Sequence, residues 1–170
     1  MQMILRPFLD RWRLVALLAS GAMLAIAHAF QTFGGLAPCE LCLKQRTVYW
    51  VAAGVAALAM IAVRTPGGPQ LRQASCWLLA VVFLTGAGIA AYHAGAEWKF
   101  WPGPASCSGG GKVTAAALRD LMNGGGVTMP ACDKPAWVFL GVSMAGWNVV
   151  ASLILAALSA AAAIRERSKT

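Results

Sequence analysis

Apolar residues fall along this chain in four long runs separated by polar connections. Leu14 to Phe33 and Thr47 to Val63 carry no charged residue, and neither do Gln73 to Ala96 and Pro135 to Ile164. Each run is at or near the roughly 20 residues a helix needs to cross ~30 Å of hydrocarbon. The pattern predicts an all-α membrane protein, a four-transmembrane-helix bundle with helices at about 14–33, 47–63, 73–94 and 137–164. Connections at about 34–46 and 97–135 then share one side of the membrane. A single domain over residues 1–170 leaves no room for a soluble one. The inner connection, Arg64 to Arg72, holds Pro66-Gly67-Gly68-Pro69, a turn signal.

With 59% hydrophobic and 12% charged residues, the chain is too apolar for an ordinary soluble fold. Its net charge of +8 would point to nucleic acid in a soluble protein, but the distribution gives another cause. Arg6, Arg11, Arg13, Arg64, Arg72, Arg165, Arg167 and Lys169 all fall on the side of the termini, against only Asp10 and Glu166. On the other side Glu40, Glu97, Asp120 and Asp133 nearly balance the bases. The positive-inside rule therefore puts both termini in the cytoplasm and the two longer connections outside. No nucleic acid is implied; the lipid bilayer is the partner.

Four of the five cysteines lie in those outward connections. Cys39 and Cys42 form a Cys-Glu-Leu-Cys motif, and Cys107 and Cys132 share the second connection. A CxxC pair is a redox or metal device, and a second pair on the same side offers it a partner for electron exchange. Zinc sites of four cysteines usually pair two tight knuckles, whereas Cys107 and Cys132 stand far apart, so no metal is expected. A purely structural CxxC disulfide would close a very small loop and stabilise little. Cys76, alone at the inner end of the third helix, reads as a small packing residue. Arg11-Trp12-Arg13 and Ala27-His28-Ala29 have the look of a cleavable signal. Four crossings are needed to keep both cysteine pairs together, so the first helix is expected to stay.

If the second helix starts near Cys42, that sulfur meets unsatisfied N–H groups and the positive end of the helix dipole. Arg46 lies one turn further on the same face. Two roles fit Arg46: partner to a thiolate or to the oxygen of a bound electron acceptor, or a side chain that snorkels to the interface. Two also fit His93, at the same depth: a contact or proton relay for an acceptor, or a satisfied interfacial histidine. Glu97 is expected to be solvated. His28 and Gln31 share the outward end of the first helix, and Asn148 is expected to hydrogen-bond between helices. Trp98-Lys99-Phe100-Trp101-Pro102 resembles an interfacial aromatic cluster. Between two Gly-Gly-Gly stretches, Leu118, Leu121 and Met122 predict a short interfacial helix, capped by Thr114 and ended by Asn123-Gly124. It is either a plain surface helix or a mobile arm.

These residues together resemble the DsbB family of membrane thiol oxidases. The resemblance rests on Phe30-Gln31, on Pro38-Cys39-Glu40-Leu41-Cys42 with Arg46, and on Tyr92-His93 with Trp101-Pro102 ahead of Cys107. It continues through Cys132, Trp137-Val138-Phe139-Leu140-Gly141, Met144 and Trp147-Asn148. It covers all four helices and both outward connections. It implies a dithiol:quinone oxidoreductase of the bacterial inner membrane, whose partner is a periplasmic thioredoxin-fold dithiol of the DsbA type. That dithiol would attack Cys107, and Cys132 would exchange with Cys39. Cys42 would donate to a quinone, ubiquinone or menaquinone, held by Arg46 and His93. The Glu-Leu interior of the CxxC is a departure, because an acid beside Cys39 opposes thiolate formation there. Two other readings compete. A vitamin K epoxide reductase-like enzyme would carry its cysteine pairs in the reverse order. A four-helix transporter or scaffold with structural disulfides would need polar residues near midplane, where only Asn148 stands.

Overall fold

A computed structural model describes residues 7–64, 68–104, 122 and 132–168. Four helices are long and apolar enough to cross a membrane: α1 Trp12–Thr32, α2 Glu40–Ala62, α3 Gly68–Glu97 and α4 Met144–Arg167. They run alternately up and down. One end gathers the close of α1, the start of α2, the close of α3 and the start of α4; the other gathers the two terminal helix ends. Helices α3 and α4 make the closest pair, and α2 packs on α1 at one side and on α3 at the other. Gly86 permits that last approach, since a Cβ there would stand 2.9 Å from a Val48 methyl.

The terminal end is closed by an apolar cluster in which Trp12, Ala16, Cys76, Leu79 and Phe83 have almost no exposure. The Trp12 indole N–H donates to Ser159 Oγ across the bundle at 2.9 Å, so the buried ring leaves no donor unpaired. Arg165 and Asp10 pair just outside it. The large hydrophobic residues left on the outside, among them Leu18, Leu58, Ile61, Leu84 and Ile164, suit a lipid-facing surface.

Three helix boundaries differ from the sequence expectation. Helix α3 starts at Gly68, not 73, so the second half of the Pro66-Gly67-Gly68-Pro69 turn signal already belongs to the helix. Helix α2 begins at Glu40, ahead of the uncharged run at 47 and two residues before the start considered near Cys42, because Cys39 is its N-cap: from an extended backbone its side chain accepts the Cys42 backbone N–H at 3.2 Å. Within α2, Glu40 and Lys44 form an outward i,i+4 pair at 2.8 Å. At the third boundary, α4 starts at Met144, not 137, with Ser143 as its cap. The apolar stretch before it folds as a hairpin, β1 Val138–Phe139 against β2 Val142–Ser143. Its two-residue turn has Leu140 at φ 52° and Gly141 at φ 77°, the primed turn that a tight hairpin requires. An apolar run by itself does not distinguish these two backbones. Cys107 and the expected interfacial helix lie outside the described residues.

Candidate active site

Helix α3 ends in a Schellman arrangement. The Phe100 N–H donates to the Gly95 carbonyl and the Lys99 N–H to that of Ala96, with Lys99 in the left-handed region at φ 62°. Lys99 tolerates this while its ammonium holds the Asp133 carboxylate at 2.5 Å and the Asp133 carbonyl at 2.7 Å. That clamp draws the chain around Cys132 back over the bundle. Cys132 is fully buried in one cluster with Cys39 and Leu41, and Cys42 packs against it. Cys132 is disulfide-bonded, whereas Cys39, Cys42 and Cys76 are free thiols. The three described cysteines of the outward connections thus meet at one point, with Cys76 at the far end of the bundle.

Cys39 and Cys42 face each other with Sγ atoms 2.8 Å apart, the Cys39 thiol donating. Closing by about 0.8 Å would bring them to a disulfide bond length of ~2.05 Å. Their environments differ. Cys39 is buried, and its pKa is raised, first by the hydrogen bond to Cys42 and then by burial. It therefore keeps its proton and donates it to the Cys42 sulfur. The expectation that Cys42 sits over the helix N-terminus needs correction, since the capping sulfur is that of Cys39. With His93 Nε2, the two sulfurs lie within 4.8 Å of one another and could ligate a soft metal. Tetrahedral zinc would separate its sulfurs to about 3.8 Å, so the observed spacing suits a thiol pair better.

Cys42 opens onto a cavity of about 460 Å³ between α1, α2 and α4. Met23, Ile26, Phe30, Trp137, Phe139 and Trp147 are among the residues of its wall, which is overwhelmingly apolar. The rings hold one another: Phe30 lies 5.2 Å from Trp137, Trp137 stacks on Phe139 at 5.6 Å, and the Trp147 indole N–H donates to the Phe139 carbonyl. The hairpin is therefore the lid of this cavity, a role invisible while those residues were read as helix. Arg46 also lines it. Its guanidinium donates to Gln31 Oε1 at 2.6 Å and to the Ala27 carbonyl at 2.9 Å, both on α1. Neither expected role named these two partners: the arginine bridges helices and keeps three of its five N–H groups for something else.

Two further residues depart from the sequence reading. Glu97, expected in solvent, is buried; it accepts from the Ser143 hydroxyl and lies 3.7 Å from His93 Nε2. Gln45 was not singled out, yet it is buried and bonds both His93 Nδ1 and Asn148. The signal was present in the sequence: Leu41, Gln45, Val48, Tyr49 and Ala52 form one helical stripe that faces inward. His93 is buried and reaches Cys39 at 3.7 Å. Asn148 does bond between helices, to Gln45 and Tyr49 of α2. His28 is exposed and its Nδ1–H donates to the Leu24 carbonyl of its own helix.

Comparison with known proteins converges on one family. The model for "Disulfide bond formation protein DsbB" matches residues 10–162. Disulfide bond formation protein B of Methylococcus capsulatus is 33% identical over 153 residues, covering 86% of this chain and 88% of the relative. Disulfide bond formation protein B 2 of Pseudomonas putida is 33% identical over 168 residues, covering 92% of each. The Albidiferax ferrireducens protein is 31% identical over 161 residues, 89% of this chain and 86% of its own. No solved structure gives a significant match. The transporter, scaffold and vitamin K epoxide reductase-like readings are not favoured by these relatives. A four-helix membrane protein with a buried thiol pair at one end, matched over nearly its whole length, belongs to the DsbB family of disulfide bond formation proteins, a family of membrane thiol oxidoreductases.

Proposed function

We propose that this protein is a dithiol:quinone oxidoreductase that reoxidises a DsbA-type dithiol. It would act as a single domain in the bacterial inner membrane, with both termini cytoplasmic and the cysteine end periplasmic. The observation that carries the reading is the placement of Cys42. Its sulfur faces an apolar cavity that Arg46 also lines, and its partner Cys39 is buried beside Cys132. One pair thus has the Cys132 sulfur behind it and an apolar compartment in front.

The cavity fits a quinone head in its size and in its walls, with the Arg46 guanidinium as a donor to a carbonyl oxygen. When bound, a quinone supplies an acceptor for two electrons and two protons. Residue by residue, Cys107 is the sulfur that the incoming dithiol attacks, and Cys132 is its disulfide partner. Their pairing is supported by the count, since the other three cysteines are free and Cys132 is bonded. Attack on Cys107 releases the Cys132 sulfur, which lies in the same buried cluster as Cys39. With the Cys39–Cys42 pair oxidised at the start, Cys132 attacks Cys39 and frees Cys42. The second thiol of the partner then displaces Cys107, and the partner leaves as a disulfide. The freed Cys107 re-forms its bond to Cys132, leaving Cys39 and Cys42 reduced. Formation of the Cys39–Cys42 bond then gives up two electrons and both thiol protons. The direction is sensible: DsbA is itself strongly oxidising, at about −120 mV, so only a stronger acceptor regenerates it.

Anaerobic stopped-flow absorbance of added quinone, mixed with a reduced DsbA-type protein, tests the reading. Quinone reduction in step with dithiol oxidation, abolished by Cys42→Ala, is the expected result. Dithiol oxidation with no quinone consumed would overturn it.

A further inference from the structure

Five buried polar groups join the middle of the bundle to the thiol pair, and the reaction above uses none of them. From the inside outward, Tyr49 Oη lies 3.1 Å from Ser152 Oγ and donates to Asn148 Oδ1. Asn148 Nδ2 donates to Gln45 Oε1 at 2.5 Å, and Gln45 Nε2 donates to His93 Nδ1 at 2.9 Å. His93 Nε2 then stands 3.7 Å from Cys39 Sγ, and the Cys39 thiol donates to Cys42 Sγ at 2.8 Å. Tyr49 has one O–H and gives it to Asn148, so its oxygen accepts from Ser152. Each amide accepts on its oxygen and donates from its nitrogen. Every bond therefore points the same way, toward the sulfur at the cavity.

We propose that Tyr49, Asn148 and Gln45 are positioning residues that hold His93 as its neutral Nε2–H tautomer, a fixed hydrogen-bond donor to the Cys39 sulfur that supports negative charge on Cys42. Because Gln45 presents an N–H to Nδ1, that nitrogen must keep its lone pair, and the ring hydrogen sits on Nε2. Protonating Nδ1 would set two N–H groups against each other in a buried site. The groups facing Nε2 agree. Cys39 Sγ is within reach of an N–H···S bond. Glu97 Oε1, also at 3.7 Å, is beyond a true N–H···O bond but would repel a bare ring lone pair. Cys39 Sγ also accepts the Cys42 backbone N–H at 3.2 Å. Two N–H groups directed at one sulfur make its S–H a stronger donor to Cys42, and a chain of such bonds in a low dielectric reinforces itself. The catalytic consequence rests on the proposed oxidase reading; the tautomer does not.

The chain has two histidines, which makes the test direct. In reduced protein labelled with ¹⁵N-histidine, with His28→Gln used for assignment, His93 should show an unprotonated Nδ1 and a protonated Nε2 from pH ~5 to ~8, across the usual imidazole range. Gln45→Glu, whose carboxylate can only accept, should convert the ring to the Nδ1–H form. An Nδ1–H ring in the wild type, or an imidazolium at pH ~6, overturns the proposal. A second readout is iodoacetamide alkylation of Cys42, followed by peptide mass spectrometry. At neutral pH it should slow about tenfold in Gln45→Leu, the loss of roughly one charge-directed hydrogen bond. An unchanged rate in a variant that keeps the wild-type unfolding temperature also overturns it. Neither measurement needs a quinone, so failed quinone turnover with both results intact would count against the oxidase reading alone.

Discussion

At the end that carries both termini, Cys76 is fully buried among Trp12, Ala16, Leu79 and Phe83, with the Arg13 guanidinium at 4.0 Å and Ser75 and Glu166 as its polar neighbours. At the opposite end Cys39 is buried almost as deeply, but its neighbours are Cys42, His93, Cys132 and a backbone N–H. Depth is the same and chemistry is not. An apolar shell leaves a thiol as a small hydrophobic filler, whereas donors and a second sulfur let charge and electrons move through it. The ends also differ in how they close. Small and aromatic side chains fill the terminal end. At the cysteine end a β-hairpin and a capped helix start enclose a cavity instead.

The largest effects should come from exchanging the two kinds of thiol. Cys39→Ala and Cys42→Ala are expected to abolish turnover, because no disulfide can form in the pair facing the cavity. Cys76→Ala should leave the rate of dithiol oxidation within about twofold of wild type while destabilising the bundle by ~1–2 kcal/mol, as a small core truncation does. Rates with a reduced thioredoxin-fold substrate, and thermal unfolding in the same detergent, separate the two outcomes. A Cys76→Ala enzyme that folds normally but turns over tenfold more slowly would break the contrast.

How far the sequence reaches differs between the ends as well. The terminal end was legible, because long uncharged runs specify membrane helices and leave little else for Cys76 to do. At the cysteine end the CxxC, Arg46 and His93 were legible as types and as neighbours along the chain. What each bonds to was not. Arg46 finds Gln31 and Ala27 on another helix, and only the tertiary arrangement sets that pairing. Glu97 adjoins Trp98 and Lys99, which reads as solvent, yet its place one turn beyond His93 carries it inside. Gln45 stands between Lys44 and Arg46, and polarity along the sequence hid its position on the buried stripe. The hairpin escaped because its backbone is set by two positive-φ residues, one of them a leucine.

Two buried serines sharpen the comparison at a smaller scale. Ser143 caps α4, accepting the Gly146 N–H at 3.1 Å, and also donates to the buried Glu97. Ser143→Ala removes a cap worth ~1 kcal/mol and strips a hydrogen bond from a buried carboxyl group, for a combined cost of about 2–4 kcal/mol. Ser159, at the terminal end, accepts from Trp12 and donates to the Leu155 carbonyl. Ser159→Ala leaves one indole N–H unpaired and should cost ~1–3 kcal/mol. Thermal unfolding ranks the two. Activity distinguishes them further, because only Ser143→Ala disturbs the lid and the group facing His93. Equal losses of activity would mean that both act through global stability.

The smallest effect concerns the clamp that holds the chain beside Cys132. The Lys99 ammonium, by its hydrogen bond, keeps the Asp133 carboxyl below its ordinary pKa. A folded-state pKa below the unfolded one stabilises fully above the unfolded value of roughly 3.9 and is lost as pH falls through the lower folded value. The clamp should therefore persist through neutral and mildly acidic pH and open only in strong acid. Both side chains are well exposed, so salt should weaken it and global stability should barely register its loss. The readout belongs at Cys132 instead. In Asp133→Asn the Cys132 disulfide should be reduced faster by a small phosphine at neutral pH, by severalfold at most, because the segment over it is less firmly held. The difference from wild type should shrink only in strong acid, as pH falls through the lowered folded-state pKa and the wild-type carboxylate is itself protonated. The Arg165–Asp10 pair gives the control, since it closes the other end and touches no disulfide among the described residues. Asp10→Asn should leave the reduction rate unchanged. If it accelerated reduction as much as Asp133→Asn does, access to Cys132 would be governed by breathing of the whole bundle and not by the Lys99 clamp.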